Sequence, residues 1–176
     1  ETPKLVNSLV ERAMGGVLFV DEAYTLSQEN DAYGREAIDT LMKRMEDDRG
    51  KFVCIVAGYK EEMEDFLAAN PGLASRFNYR LHIDDYTVAE LAQIFISMVQ
   101  KKQYVMTPDA KVALMRVIME MYQHKTPAFG NAREMRNLMQ NTLQRLSTRV
   151  IELPEGKRTV DAYQTILPDD ISLSTL

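Results

Sequence analysis

The architecture of the first part of the chain can be read from GGVLFVDEAY, Gly15–Tyr24. Four apolar residues, Val17-Leu18-Phe19-Val20, run without alternation into two adjacent acids, Asp21-Glu22. An unalternating apolar run of this length reads as a strand covered on both faces, as in a parallel sheet. A second such run lies over residues 52–57. Between them, Ala37, Ile38, Leu41, Met42 and Met45 form one apolar stripe, which predicts a helix over roughly residues 33–47. Strand, helix and strand make one crossover unit, right-handed by the general rule for parallel strands.

Working outward, a short helix is expected over 61–69, with Glu61 and Glu62 well placed in its first turn. Asn70-Pro71-Gly72 then breaks the chain, and the alternating residues 79–83 read as a third strand. Beyond Asp84-Asp85 the pattern is helical. Thr87-x-x-Glu90 is a capping box opening a helix to about Lys102. Thr107-Pro108 opens another, with proline where its missing N–H does no harm. Gly130-Asn131 opens a third, striped by Met135, Leu138, Met139, Thr142, Leu143 and Leu146. A boundary is placed near residue 86, giving an α/β part over 1–86, a helical part over 87–152 and a tail over 153–176 with a short strand near 158–166. The methionines at helical spacing are core filler.

Composition bounds the function. The chain has 176 residues and a net charge of −5, which argues against a general nucleic-acid binder. Its charge is uneven. Residues 1–86 hold 10 basic and 17 acidic groups, whereas residues 87–150 hold 9 basic and 4 acidic. An acidic half and a basic half suit a ligand carrying both metal and phosphate, although solvated helix faces would give the same tally. No apolar run is long enough to span a bilayer. The single cysteine, Cys54, sits in an apolar run and reads as a small buried hydrophobe. One cysteine excludes a disulfide framework, and a cytoplasmic setting is expected.

In an open parallel sheet, ligands sit beyond the carboxyl ends of the strands. Asp21-Glu22 occupies that end of the first strand and Gly58-Tyr59-Lys60 that end of the second. An apolar strand ending in Asp-Glu is a Walker-B arrangement, in which the aspartate holds Mg²⁺ and the glutamate polarises an attacking water. Acids after a strand also cap the following segment, so the pair needs company. Arg76, in NPGLASRF, is of the type that matches phosphate with a fixed fork. Arg133, in GNAREMRNL, falls in a first helical turn, where a cation opposes the helix dipole unless an anion is held there.

GGVLFVDEAY, VAGYKEEMEDFLAANPGLASRF and GNAREMRNL, in this order, resemble the AAA+ ATPases of the CbxX/CfxQ group, over about residues 3–150. That group includes red-type Rubisco activases, a stage V sporulation protein and type VII secretion ATPases. The resemblance implies a partial P-loop AAA+ parallel sheet with helices, followed by a small all-helical lid. It makes Asp21 and Glu22 the Walker-B pair, Asp21 the Mg²⁺ ligand, Arg76 the arginine finger and Arg133 sensor two, with Arg136 as the alternative. Tyr59 stands at the sensor-one position, where many AAA+ proteins carry Asn or Thr. It implies ATP and Mg²⁺ as ligands, a homo-oligomeric ring (a hexamer in the family) and a protein substrate.

The sequence contains no G-x-x-x-x-G-K-[ST]. By the family pattern, the phosphate-cradling loop and the pore loop would lie upstream of Glu1. The expectation is therefore part of an ATP-hydrolysing machine, inactive as this segment alone. The alternative is a non-hydrolysing AAA+ remnant that acts as an assembly or regulatory module.

Overall fold

The computed structural model describes residues 1–27, 31–127 and 129–173. They form two compact units, Glu1–Ile83 and Asp84–Leu176. Each is built around its own core.

The first unit opens with helix α1 (Thr2–Arg12) and strand β1 (Val17–Val20). A 3-10 turn over Ala23–Ser27 follows, and then helix α2 (Ala32–Asp47), capped by Asp31, whose carboxylate accepts from Tyr33 N at 3.0 Å. Strand β2 (Val53–Val56) pairs parallel with β1, Val17 opposite Val53 and Val20 opposite Val56. Helix α3 (Lys60–Ala68) and helix α4 (Pro71–Arg76) complete the unit. Arg44 clasps α1 to α2, donating to Glu11 at 2.7 Å, Asn7 at 3.2 Å and Asp48 at 2.6 Å.

Two expectations for this unit are corrected. The β1–β2 pair is covered on one face only. Val20 and Val56 pack against Ile38 and Phe66, while Val17, Phe19, Val53 and Ile55 on the other face are 45–58% exposed. The unalternating pattern anticipated cover on both faces, but no described element of this unit lies over the second. Residues 79–83 also form no strand. Tyr79, Leu81 and Ile83 are 89–95% exposed, so their alternation is not matched by a neighbouring strand among the described residues.

The second unit holds helices α5 (Val88–Lys101), α6 (Pro108–Gln123) and α7 (Ala132–Glu152) around a core that includes Leu91, Phe95, Leu114, Ile118, Met135 and Leu146. The capping box at Thr87 forms in both directions: Thr87 Oγ1 accepts from Glu90 N at 3.3 Å, and Glu90 Oε2 accepts from Thr87 N at 2.8 Å. Short strand β3 (Val105–Met106) pairs parallel with β4 (Thr165–Ile166). The tail is thus mostly not strand. Thr159 accepts from Ala162 N at 3.2 Å and starts helix α8 (Val160–Gln164), which takes up the residues before β4.

Asp170 fastens this tail to α7. Its carboxylate is buried and accepts from Arg149 Nε at 2.8 Å, Arg149 Nη2 at 2.9 Å and Leu167 N at 2.8 Å. Arg149 Nη2 also donates to the Thr165 carbonyl at 2.9 Å. The Asp170 pair holds the Arg149 guanidinium above its ordinary pKa, so it remains a cation throughout the working range. Asp170→Ala is expected to cost ~2–4 kcal/mol, below the full cost of breaking a buried pair because Arg149 keeps some solvent. A urea titration followed by circular dichroism checks it, and a loss under ~1 kcal/mol would show that solvent replaces the carboxylate.

Candidate functional site

Parallel pairing runs on past the ends of the strands. Ala57 N donates to the Val20 carbonyl at 2.9 Å, and Ala23 N to the Ala57 carbonyl at 3.0 Å. This carries Asp21-Glu22 to the level of Ala57-Gly58, at the carboxyl edge of the pair. Glu22 has a φ of 48°, in the left-handed region that is uncommon for a residue with a side chain. The turn is held by Asp21 Oδ1, which accepts from Glu22 N at 3.1 Å, and by the Glu22 carbonyl, which accepts from Thr25 N at 2.9 Å and Thr25 Oγ1 at 2.8 Å. Both acids are exposed. Backbone strain of this kind is stored where a side chain must be aimed.

Tyr24 and Tyr59 face each other beside the acids, ring centroids 6.5 Å apart and tilted by 40°. Gly58 makes this approach possible, because a Cβ there would lie 2.7 Å from the Tyr24 ring. Partial burial, then the negative charges of Glu22 and Glu62, push the Tyr24 phenol above its ordinary pKa and keep it protonated. Tyr24 was missed in the sequence. Its only signal was its place three residues after Asp21, where an aromatic also serves as core. Tyr59 caps α3 without a side-chain bond, so its hydroxyl remains clear of the helix start.

The residues fit a magnesium ion that keeps its water. Asp21 Oδ1 takes one backbone N–H, and the Asp21 and Glu22 carboxylates are both exposed at the strand edge. Mg²⁺ is held in this way in phosphate sites, by one or two carboxylates plus water and substrate oxygens.

Arg76 lies elsewhere. The segment read as a break in the chain opens helix α4: Asn70 accepts from Gly72 N at 2.8 Å and Pro71 occupies its first turn, so the residues that follow α3 start the next helix. Arg76 is the last residue of α4. It donates from Nη1 to the Gly72 carbonyl and from Nη2 to Glu46, both at 3.3 Å. It lines a cavity of about 370 Å³ shared with Glu46, Arg49, Phe52, Cys54, Ser75 and Asn78. Cys54 lies at the amino end of β2 and Phe52 just before it, three to five residues before Ala57, roughly 10–16 Å along the strand direction. The finger candidate and the acids of one chain therefore do not meet. Burial pushes the Cys54 thiol up to about 11, which keeps it protonated and unreactive.

In the second unit, Arg133 and Arg136 are exposed on α7, Arg133 in its first turn. Asn131 precedes the helix with a φ of 49° but does not cap it. Its amide instead donates to Asp85 at 2.8 Å and its oxygen accepts from Tyr86 N at 3.0 Å, fixing the entry to α5 against the start of α7.

A parallel strand pair with helices, followed by a separate helical unit, is the α/β-plus-lid class of architecture. The family model described as ATPase family associated with various cellular activities (AAA) matches residues 1–85, and the AAA lid domain matches residues 87–175. The chain belongs to the AAA family of ATPases. Within it, the chain is 40% identical to the chloroplastic ribulose bisphosphate carboxylase/oxygenase activase of Cyanidioschyzon merolae, over 99% of this chain and 60% of that protein. It is 37% identical to protein CbbX of Cereibacter sphaeroides, over 98% of this chain and 56% of the relative. It is 36% identical to stage V sporulation protein K of Bacillus subtilis, over 85% and 47% respectively. The chain thus spans about half to three-fifths of the length of these relatives. No helix among the described residues is long and apolar enough to cross a membrane.

Proposed function

We propose that this chain is the Walker-B and lid-bearing part of a ring-forming ATPase that remodels a protein partner. The observation that carries the reading is the Asp21-Glu22 turn, strained at Glu22 and presented at the carboxyl edge of a parallel pair. Residues 1–86 act as the α/β part, 87–152 as the lid and 153–176 as the strap that ties the lid together. These residues contain no G-x-x-x-x-G-K-[ST] and span about half to three-fifths of the relatives' length, which supports the reading that hydrolysis needs a phosphate-binding loop supplied from outside them.

In this reading Asp21 orients a hydrated Mg²⁺ and Glu22 polarises the water that attacks the terminal phosphoryl group of ATP. Bound Mg²⁺ supplies charge neutralisation on the phosphate oxygens. Tyr59, with Tyr24 behind it, stands beside the acids at the sensor-one position. Arg133 is the sensor-two candidate carried by the resemblance, with Arg136 one helical turn further along as the alternative. Arg76 serves a neighbouring copy. The AAA family and the name of the activase relative support a protein as the partner.

The test is ATPase activity of the full-length protein against free Mg²⁺. Chelation is expected to abolish turnover, and Asp21→Asn to raise the half-saturating Mg²⁺ about tenfold or more. No Mg²⁺-dependent turnover in a protein with its phosphate loop intact would leave the non-hydrolysing assembly module as the better reading.

A further inference from the structure

We infer that Glu46 is the positioning residue for Arg76, fixing the guanidinium plane at the mouth of the cavity so that its outer N–H groups meet a neighbour's phosphoryl oxygens. The inference rests on the reading of Arg76 as a residue acting on the adjacent copy. Arg76 ends a helix of six residues, where a long side chain would otherwise sample many rotamers. Two acceptors from different elements restrain it: the Gly72 carbonyl one turn back in α4, and Glu46 Oε2 from α2. Gly72 itself is held closely, since a Cβ there would lie 3.0 Å from both Asn70 Oδ1 and Met42 Sδ, while Arg76 Nη1 would be at an ordinary contact distance of 3.7 Å. The Nε is buried and has no hydrogen-bond partner, while Arg76 as a residue lines the cavity.

The pairing also suits Glu46. It sits in the last turn of α2, where a carboxylate opposes the helix dipole and a nearby cation restores the balance. Arg49, Ser75 and Asn78 line the same cavity, leaving it with two cations to one carboxylate.

A carboxylate beside a finger arginine either orients it or withholds it, and the geometry favours orientation. Glu46 takes a single bond from Nη2 at 3.3 Å, at the long end of hydrogen bonding. One bond each from Nη1 and Nη2 leaves a second N–H on both nitrogens that can donate to phosphate oxygens. An arginine held in its plane has already given up the rotamer freedom that a loose one must lose on reaching the transition state.

The experiment uses the full-length protein and steady-state ATP hydrolysis. Glu46→Ala is expected to lower kcat about threefold to tenfold while KM for ATP stays within about twofold, because Glu46 does not approach its own chain's nucleotide edge. Glu46→Gln, whose amide oxygen still accepts from Nη2, is expected to recover most of that loss. A rise in kcat for Glu46→Ala would show a withholding carboxylate and overturn the inference. So would a Glu46→Gln no better than alanine. A loss that comes with a fall in unfolding temperature of more than about 5 °C would assign Glu46 to the packing of α2 and overturn it as well. An unaffected Glu46→Ala beside an inactive Arg76→Ala removes this inference alone. An Arg76→Ala with wild-type turnover removes the reading of Arg76, and this inference with it.

Discussion

Glu22→Gln in the full-length protein is expected to bind ATP as the parent does and to lose turnover by about 10²–10⁴, the range supplied by a positioned general base. Glutamine keeps the length of the side chain and the backbone strain at φ 48°, so the turn held by Asp21 Oδ1 and Thr25 is preserved. What it loses is the charge that polarises water. The acids are exposed at the strand edge and Glu22 makes no ion pair there among the described residues, so a purely stabilising role has little to act through. Filter binding of ATP and phosphate release on the same preparation separate the two quantities. Normal phosphate release would mean that the carboxylates cap the turn and nothing more.

The place of the acids in the fold was legible because two short apolar runs around a striped helix read as parallel strands, and their pairing follows from that order, which sets Asp21-Glu22 at the carboxyl end of β1. The helix starts were legible for a similar reason: Thr87 with Glu90, and Thr107 with Pro108, satisfy orphan donors by purely local chemistry. What the sequence hid depends on neighbours. The cover of β1 and β2 on one face only, and the exposure of Tyr79, Leu81 and Ile83, follow from what packs alongside, which periodicity cannot report. Asn70-Pro71-Gly72 was legible as a break but not as a start, since the same residues end one helix and cap the next. Tyr24 and Glu46 were invisible as partners. Each acts on a residue 30 or more positions away, Tyr24 on Tyr59 and Glu46 on Arg76, and one sequence carries no signal of such a pairing.

Subunits carrying Arg76→Ala are expected to bind ATP and hydrolyse almost none, yet to regain activity when mixed with subunits carrying Glu22→Gln. Within one chain, Arg76 is anchored towards the amino end of β2 while Asp21-Glu22 sits at the carboxyl edge of β1. An arginine so placed contributes nothing to its own site. It becomes useful in a closed ring with head-to-tail interfaces, where each site takes one arginine from next door. An arginine that reaches developing phosphoryl charge accelerates other phosphoryl transfers by about 10³–10⁵, which sets the expected loss for Arg76→Ala. In a mixture, an interface that joins an intact Glu22 on one chain to an intact Arg76 on the next is complete although each chain is defective. Activity should therefore be near zero for either variant alone and pass through a maximum at an intermediate ratio. Lysine at position 76 should rescue poorly, since a point charge reproduces neither the fork nor the two anchors at Gly72 and Glu46. Wild-type turnover for Arg76→Ala alone would reject the role. A flat, inactive mixing curve would leave two explanations, strict coupling of every site in the ring or action of Arg76 within its own chain, and mixing Arg76→Ala subunits with wild-type subunits in graded ratios separates them. Under strict coupling, a single Arg76→Ala subunit silences its whole ring and activity falls far faster than the fraction of wild-type chains. If Arg76 served only its own site, activity would fall in proportion to that fraction.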